Sequence, residues 1–311
     1  MNLQQLKIII EAEKNNFNLT QVARALFTSQ SGISKAIKEL EEELSFEIFN
    51  RRGKRLCGLT EAGKSVFQYA LKILENVHNI KEVKEQFSSK DSGQLVLATT
   101  HTQARYSLPE LIMSFRDLYP DVQFVLHQAS PPEISSMLDS GEADLAIATE
   151  SLKKDIRFAT FPFYHWYHGI VVPKNHPLLR KKVFGLNDLS NYPLITYHKG
   201  FTGRSKIDET FKKNNITTNV VLEALDADVI KAYVTLNLGI GIIASMAYDN
   251  DLDTNLILLD GSNIFPQNTT VLAFRKDRVL KGFAAKFASL CLRNMSIDEI
   301  QKATLSEKFK K

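Results

Sequence analysis

The basic side chains of this chain are concentrated near its amino end. The 311 residues carry a formal net charge of +4, which by itself says little about a partner. The segment 20–38, however, contains Arg24, Lys35 and Lys38 and no acidic residue, and four of the five residues in 51–55 (RRGKR) are basic. From residue 91 onward 25 basic residues face 24 acidic ones. This distribution predicts an anionic partner for the first part of the chain.

A second group of side chains consists of neutral hydrogen-bond donors at the ends of predicted elements. Thr100, Thr102 and Gln103 follow a first strand, Thr149 ends a third strand, and Thr202 precedes a helix. Hydroxyl, amide and helix-end N–H groups can bind a small anion or zwitterion without a cation. Threonines at such positions also cap helices without binding a ligand, so both interpretations stay open.

Common catalytic and metal-binding motifs are missing from the sequence. It contains no GxSxG, Walker or HExxH motif, and GIGIIAS lacks the full dinucleotide fingerprint. His165 and His168 fall in a predicted strand that directs them to opposite faces, with no cysteine or carboxylate cluster to complete a zinc site. We therefore expect no catalytic residue, no metal and no cofactor.

Composition indicates an ordinary globular protein of two or three domains, with 44% apolar and 24% charged residues. Cys57 and Cys291 are too far apart in sequence for a disulfide framework. The first residues, MNLQQLKIII, meet Glu11 and Glu13 before a secretory segment can develop, and no apolar run is long enough to span a membrane. We expect a reduced, cytoplasmic protein without membrane contact.

Apolar spacing predicts three short helices at the start of the chain. The first covers residues 2–14. Thr20 is expected to cap the second helix, TQVARALF, and Thr28–Ser29 the third, which runs from Gln30 to about Glu43.

The third helix carries two different stripes. Its apolar residues recur on one side: Ile33, Ile37, Leu40 and Leu44. Roughly 140° around the helix lies a small, polar and basic stripe without carboxylates: Ser31, Ser34, Lys35 and Lys38. Two short helices joined by a tight turn, the second with these two stripes, are typical of a helix-turn-helix, whose second helix enters the major groove of DNA. A solvated helix face without a ligand is the alternative.

The segment FNRRGKRLCGLT that follows predicts a β-hairpin wing. Gly53 lies between two basic pairs, as at a hairpin tip, and this would place cations beside a phosphate chain. We therefore predict a winged helix-turn-helix over residues 1–59. The residues expected to contact DNA are Ser29, Gln30, Ser31, Ser34, Lys35, Lys38, Arg51 and Arg52.

A long helix is predicted over residues 60–87, followed by a hinge at 88–93. Apolar residues step through this helix with heptad spacing: Val66, Ala70, Ile73, Val77 and Ile80. We predict that this linker helix mediates dimerisation, which would present two recognition helices to two half-sites. Packing of the helix on its own domain is the alternative.

The remaining sequence alternates between strands and helices and predicts two α/β lobes. Lobe I is expected over 94–163 and 267–295, lobe II over 164–266, and a frayed polar tail over 296–311. The strand–helix order favours parallel sheets with right-handed crossovers, and ligands of such sheets bind beyond the carboxyl ends of the strands. We therefore expect a ligand cleft between the lobes.

These residues also carry a family resemblance. The stretch TQVARALFTSQSGISKAIKELEEELSFEIFNRRGKRLCGLTEAG resembles the DNA-binding region of LysR-type transcriptional regulators, and the two lobes resemble their periplasmic-binding-protein-like effector domain. Within this family, TTHTQARYSLP, ADLAIATE and YHKGFTGRSKID look like the CysB branch, the regulators of sulfur assimilation and cysteine synthesis. The resemblance extends to about residue 295.

The resemblance implies a homotetrameric regulator, usually an activator, that binds double-stranded promoter DNA and works with RNA polymerase. In the CysB branch the effector is sulfate or an acetylserine-type molecule, bound between the two lobes. The pocket residues that the resemblance transfers to this chain are Thr100, Thr102, Gln103, Thr149, Thr202 and Trp166. The rival interpretation is a small-molecule binding protein or enzyme that does not bind DNA and uses its first helices only for dimerisation.

Two residues depart from the pattern of the family. Ser31 stands where the family usually has proline, so the recognition helix keeps an additional N–H and a hydroxyl at its start. Ser45 stands where the family usually has glycine. If this position adopts the left-handed conformation, serine costs up to about 1–2 kcal/mol there.

Overall fold

The computed structural model describes residues 1–53, 55–87, 92–149, 152–153, 155–201, 203–276 and 278–304. The chain divides into two compact units, Met1–Ser88 and Ser89–Lys311. Four helices and a two-stranded hairpin form the first unit: α1 (Leu3–Lys14), α2 (Leu19–Ala25), α3 (Gln30–Leu44), β1 (Phe49–Arg52), β2 (Arg55–Leu59) and α4 (Glu61–Phe87).

Side-chain caps define where the first helices begin. Asn2 caps α1, and Ser29 caps α3 as predicted, its hydroxyl accepting the Gly32 N–H at 3.1 Å. The prediction that Thr20 caps α2 is wrong. Asn18 occupies that position, and its side-chain oxygen accepts the Thr20 N–H at 3.1 Å, so α2 begins at Leu19.

The apolar stripe of α3 lies in the core of the first unit, as the spacing predicts. Ile33, Ile37 and Leu40 are buried against apolar residues of α1, α2 and the hairpin. The polar stripe is exposed along its whole length. Helix α3 ends at Ser45, whose φ of 60° and ψ of 26° lie in the left-handed region, as expected for a position where glycine is favoured.

Helix α4 begins where the sequence predicts, but its apolar seam is divided between two environments. Ala70 is fully buried, and Val66 packs against the same core, so the first half of the seam is used within its own unit. Ile73 and Ile80 are exposed by 37% and 71%. Residues 88–91 of the predicted hinge lie outside the described residues, and β3 already begins at Gly93.

Lobe I contains a five-stranded sheet in the order β4-β3-β5-β12-β6. Its strands are β3 (Gly93–Thr99), β4 (Val122–Gln128), β5 (Leu145–Thr149), β6 (Phe158–Trp166) and β12 (Asn268–Arg275), and its helices are α5 (His101–Tyr106), α6 (Pro109–Leu118), α7 (Pro131–Ser140), α11 (Gly282–Leu292) and α12 (Ile297–Thr304). The strands β3, β4 and β5 are parallel, whereas β12 is antiparallel to both β5 and β6. The three strands of the predicted strand–helix alternation are therefore parallel as expected, and the sheet is mixed because β12, the returning strand, runs antiparallel.

Lobe II contains the second five-stranded sheet, in the order β11-β7-β10-β8-β9. Its strands are β7 (His168–Pro173), β8 (Leu194–Tyr197), β9 (Val220–Ala224), β10 (Ile240–Ala244) and β11 (Leu256–Asp260), and its helices are α8 (Leu186–Leu189), α9 (Arg204–Lys213) and α10 (Ala227–Thr235). Strand β7 runs antiparallel to β10 and β11.

Four features of these lobes differ from the sequence prediction. The chain crosses from lobe I to lobe II at Tyr167, three residues later than predicted, so Trp166 belongs to β6 of lobe I. The single strand predicted over His165 and His168 is two strands, β6 and β7. The short helix α5 replaces a simple strand end. The segment 296–311 is not frayed throughout, because 297–304 form α12 with a fully buried Ile300. Residues 305–311 lie outside the described part of the chain.

Candidate functional site

The exposed face of α3 begins with a cluster of hydroxyl groups. The hydroxyls of Ser29 and Ser31 lie 3.1 Å apart, and Gln30 accepts a hydrogen bond from Thr20 in α2 at 3.2 Å. Ser34 is exposed one turn further along the helix. Small polar side chains at the start of a recognition helix are those that reach base edges in the major groove.

Lys35 and Lys38 stand on the same face and are loosely paired with glutamates. The Lys35 ammonium lies 3.8 Å from Glu39, and the Lys38 ammonium lies 3.5 Å from Glu42. The two lysine side chains are 80% and 75% exposed. Because exposed pairs of this kind contribute about 0–1 kcal/mol, a phosphate can replace the carboxylate at little cost.

Arg51 is held more firmly than the two lysines. Its guanidinium donates to the Glu41 carboxylate at 2.6 Å, and the Glu41 side chain is only 11% exposed. The other carboxylate oxygen of Glu41 accepts the backbone N–H groups of Ile48 and Phe49 at 2.9 and 3.1 Å. Glu41 therefore joins α3 to the wing, and Arg51 completes this joint, whereas Arg52 is exposed near the hairpin tip. Gly53 turns the tip with a φ of 60°.

The first group of predicted effector-binding residues lies at the start of α5. Thr100 precedes the helix without capping it through its side chain, and it is buried. Thr102 and Gln103 are 1% and 0% exposed. Among the described residues, the Gln103 Nε2 atom has no hydrogen-bond partner, whereas the Thr102 hydroxyl is near enough to the Tyr197 hydroxyl to lower the pKa of that phenol. Buried polar groups of this kind are rare in folded proteins, which points to a ligand-binding role.

Strand register brings Thr149 to the same end of the lobe I sheet. Thr149 on β5 is in register with Thr270 on β12, and Thr270 is in register with Tyr164 on β6. Residues in register on neighbouring strands project from the same face of the sheet. The Tyr164 hydroxyl in turn donates to the Gln103 side-chain oxygen, which joins this row to α5.

Trp166 lies on the same face of the sheet, two residues further along β6 and in register with Asn268, but uses its indole N–H within the protein. This donor forms a 3.0 Å hydrogen bond to the Thr270 hydroxyl, and the side chain of Trp166 is buried. Its proposed contact with an effector is therefore indirect or through the ring. The two histidines of this segment lie apart, in agreement with the prediction that they point to different sides. His165 is exposed on β6, and His168 is buried on β7.

Thr202 lies outside the described residues, but its neighbour Gly203 is described. Gly203 has a φ of 70°, and a Cβ atom there would lie 2.8 Å from the Asn268 side-chain oxygen and 2.9 Å from the His168 ring. Both of these residues stand where the chain crosses between the lobes. The start of α9 therefore lies against the crossing segments.

The sequence interpretation missed a polar contact that links α5 to lobe II. The Tyr106 hydroxyl donates to Asp228 at 2.6 Å and accepts from the buried Lys231 at 3.1 Å. Lys231 also donates to Asp253 and to the Ala247 carbonyl, each at 2.8 Å. Burial lowers the pKa of Lys231, but the hydrogen bonds to Asp253 and Tyr106 outweigh it and raise that pKa overall. Burial also raises the pKa of Tyr106.

One group of potential metal ligands lies beside this contact. Ligand atoms of His101, Asp226 and Asp228 are all within 4.8 Å of one another. The Arg105 guanidinium lies 3.1 Å from one oxygen of Asp228, and the Lys231 ammonium lies 3.5 Å from the other. Because these cations already neutralise the carboxylate and would repel a divalent ion, the group does not fit a metal site.

The fold and the two sites define a winged helix-turn-helix protein that carries a two-lobed ligand-binding domain. Residues 3–64 match the bacterial regulatory helix-turn-helix proteins of the LysR family, and residues 88–296 match the LysR substrate binding domain. The chain belongs to the LysR family of transcriptional regulators and is not an enzyme. As a LysR regulator it binds DNA and a small-molecule effector and forms oligomers, which sets aside the rival interpretation of a protein that does not bind DNA.

Similar proteins place the chain more narrowly within the family. It is 49% identical over 300 residues to the HTH-type transcriptional regulator SsuR of Burkholderia cenocepacia, covering 96% of this chain and 97% of the relative. It is 42% identical over 307 residues to the regulator CysB of the same organism, covering 99% and 98%. The crystal structure of the cofactor-binding domain of the Cbl transcriptional regulator superimposes with a TM-score of 0.67 at 41% identity, covering 70% of this chain and 96% of that one. None of the described helices has the length and apolar character that a membrane crossing requires.

Proposed function

We propose that this chain regulates genes of sulfur assimilation and cysteine synthesis in response to sulfate or an acetylserine-type effector. Its similarity to relatives named CysB and SsuR over nearly the whole chain supports the choice of genes. The observation that carries the choice of effector is the buried Gln103 Nε2 donor, which has no hydrogen-bond partner among the described residues. An unpaired buried donor costs about 1–3 kcal/mol, and an oxygen-rich ligand offsets this cost.

Our proposed DNA interface combines base reading and phosphate contacts. The hydroxyl and amide groups at the start of α3 read the major groove: Ser29, Gln30, Ser31 and Ser34. Lys35, Lys38 and Arg52 are exposed and contact phosphate. Arg51 contributes mainly by holding the wing against α3 through Glu41.

Our proposed assembly is a homotetramer whose dimers form through α4. The exposed Ile73 and Ile80 supply the apolar surface for this contact. Effector binding between lobes I and II changes the geometry of the tetramer on promoter DNA, provided that the effector prefers one conformation. We propose that the regulator works in the cytoplasm, where it contacts RNA polymerase.

Salt-dependent gel shifts test the DNA interface. Replacing Lys35 with alanine should weaken binding and reduce the slope of log K against log salt by about 0.9, the value for one released phosphate contact. Lys212→Ala, at an exposed lysine in lobe II, serves as the control. Unchanged affinity and slope in Lys35→Ala and in Lys38→Ala would refute this docking of α3.

Calorimetry with sulfate and with O-acetylserine tests the effector site. The double variant Thr100→Val plus Thr102→Val should lose binding while keeping its unfolding temperature, because valine preserves the shape of threonine without its hydroxyl. Thr217→Val, at an exposed position, is the matched control. Retained affinity in the double variant would move the site elsewhere. Footprinting upstream of sulfate-uptake and cysteine-synthesis genes, with and without O-acetylserine, tests the proposed genes.

A further inference from the structure

The two ends of the Gln103 side-chain amide lie in different surroundings. Its oxygen accepts hydrogen bonds from the Ser107 hydroxyl, at 2.9 Å, and from the Tyr164 hydroxyl. Its nitrogen is buried and has no hydrogen-bond partner in the part of the chain that the structure describes. The amide thus uses its acceptor within the protein and keeps its donor available.

The direction of the hydrogen bond between Tyr164 and Gln103 follows from the two groups, because an amide oxygen can only accept. The Tyr164 hydroxyl donates to the Gln103 side-chain oxygen. Thr270 is in register with Tyr164, and its side chain lowers the pKa of that phenol. The Thr270 oxygen also accepts the indole N–H of Trp166 at 3.0 Å.

Tyr164 keeps its proton under ordinary conditions, as this direction requires. Burial raises the pKa of Tyr164, although hydrogen bonds with Ser107, Thr270 and Gln103 partly counter the increase. A protonated phenol can donate, and a glutamine that accepts this hydrogen cannot turn its amide around without losing the bond.

We propose that Tyr164 is a positioning residue that sets the selectivity of the effector site through Gln103. By holding the amide oxygen, Tyr164 directs the Nε2 donor toward the effector, so that the group bound there must be a hydrogen-bond acceptor, such as an oxygen of sulfate or of a carboxylate. A group that can only donate, such as an ammonium, is rejected at this position. This inference rests on the proposed effector site.

The effect of Tyr164 is measurable by calorimetry of the full chain with sulfate. Tyr164→Phe should raise the dissociation constant about ten-fold, because the released amide can turn and lose its own hydrogen bond to the charged sulfate. Tyr192→Phe removes a tyrosine hydroxyl from lobe II and should leave the dissociation constant unchanged. In a Gln103→Leu background, Tyr164→Phe should have no further effect, because the amide that it orients is gone.

Thr270 supplies a second test that does not alter Tyr164. Thr270→Val removes the hydroxyl that stands in register beside Tyr164 and accepts the Trp166 N–H, and it should weaken sulfate binding, whereas Thr270→Ser keeps this hydroxyl and should preserve binding. If Thr270 had only a structural role, the valine and serine variants would bind sulfate equally well whenever their unfolding temperatures are equal.

The outcomes separate this inference from the proposed function. If the wild-type chain binds sulfate and Tyr164→Phe binds it equally well, the positioning role is refuted and the effector site stands. If Tyr164→Phe weakens binding equally with and without Gln103, the role through Gln103 is also refuted. If the wild-type chain binds neither sulfate nor O-acetylserine, the effector proposal and this inference both fail.

Discussion

Glu41 offers a test of how the wing is held against the recognition helix. Its carboxylate accepts the backbone N–H groups of Ile48 and Phe49 and pairs with Arg51 at 2.6 Å. Glu41→Ala leaves two N–H groups of fully buried residues without an acceptor, at about 1–3 kcal/mol each. We expect the first unit to lose about 2–4 kcal/mol of stability, or about 10–20 °C in unfolding temperature.

The single tryptophan, Trp166, lets the two units be followed separately. Its fluorescence reports the unit Ser89–Lys311, whereas far-ultraviolet circular dichroism also reports the helices of Met1–Ser88. In urea unfolding of the full chain, Glu41→Ala should shift a helical transition and leave the fluorescence transition unchanged.

Two further variants make this test specific. Glu41→Gln keeps one oxygen acceptor and loses the ion pair with Arg51, so we expect a loss of about 1–2 kcal/mol. Glu42→Ala removes a glutamate that is 63% exposed and 3.5 Å from Lys38, and should change stability by less than about 0.5 kcal/mol. Equal effects of Glu41→Ala and Glu42→Ala would show that the carboxylate does not hold the wing.

Three other changes have defined outcomes. Ser45→Gly should stabilise the first unit by about 1 kcal/mol, because glycine adopts the φ of 60° without strain, whereas Ser34→Gly inside α3 should destabilise it by about 0.5 kcal/mol; both are measured by urea unfolding. Burial raises the pKa of the Cys291 thiol from 9.0 to about 12. The stabilisation from keeping this thiol protonated is therefore fully present below pH 9, and the free energy of unfolding falls from pH 9 toward pH 12 by about 1.4 kcal/mol per pH unit. Cys291→Ala should not show this loss. Ile80→Glu should dissociate the proposed dimer in sedimentation experiments, because it places a charge in the apolar surface through which α4 is proposed to pair; Ile80 is 71% exposed. Lys72→Glu changes the charge at an exposed position of α4 outside the apolar seam and should leave the dimer intact.

Each of these predictions has a clear contrary result. Destabilisation by Ser45→Gly would mean that the serine side chain contributes more than its backbone strain costs. The same alkaline loss of stability in wild type and Cys291→Ala would show that the thiol is not the titrating group. An unchanged oligomer in Ile80→Glu would place the dimer contact away from the exposed half of α4.

Local patterns were sufficient to predict the helix-turn-helix. The spacing of Ile33, Ile37 and Leu40 predicts a buried stripe because helix geometry places such residues on one side without information from elsewhere in the chain. For the same reason the exposed polar stripe and the Ser29 cap agree with the structure. The cap of α2 was misassigned because Asn18 and Thr20 are both suitable capping residues, and the packing of Leu19 selects the earlier start.

The candidate effector site could be predicted only in part. Thr100, Thr102 and Thr149 are recognisable because they stand at the ends of buried strands. Tyr164 was missed because strand β6 was not predicted, so no face could be assigned to it. Thr270 was missed although its strand was predicted, because only the register with β5 and β6 places it beside Thr149 and Tyr164. The alternation in FATFPFYHW does place Tyr164 and Trp166 on one face, and this was the available signal.

The sequence by itself determined the three short helices and the hairpin of the first unit, which side of α3 is apolar, and where the positive charge is concentrated, because these properties depend on neighbours within a few residues. The tertiary structure decided which distant groups meet. Gln103 bonds to Tyr164 across 61 positions, and Trp166 bonds to Thr270 across 104. Arg51 likewise pairs with Glu41 because the hairpin folds back onto α3. Such pairs depend on strand order and register, which local sequence patterns do not contain.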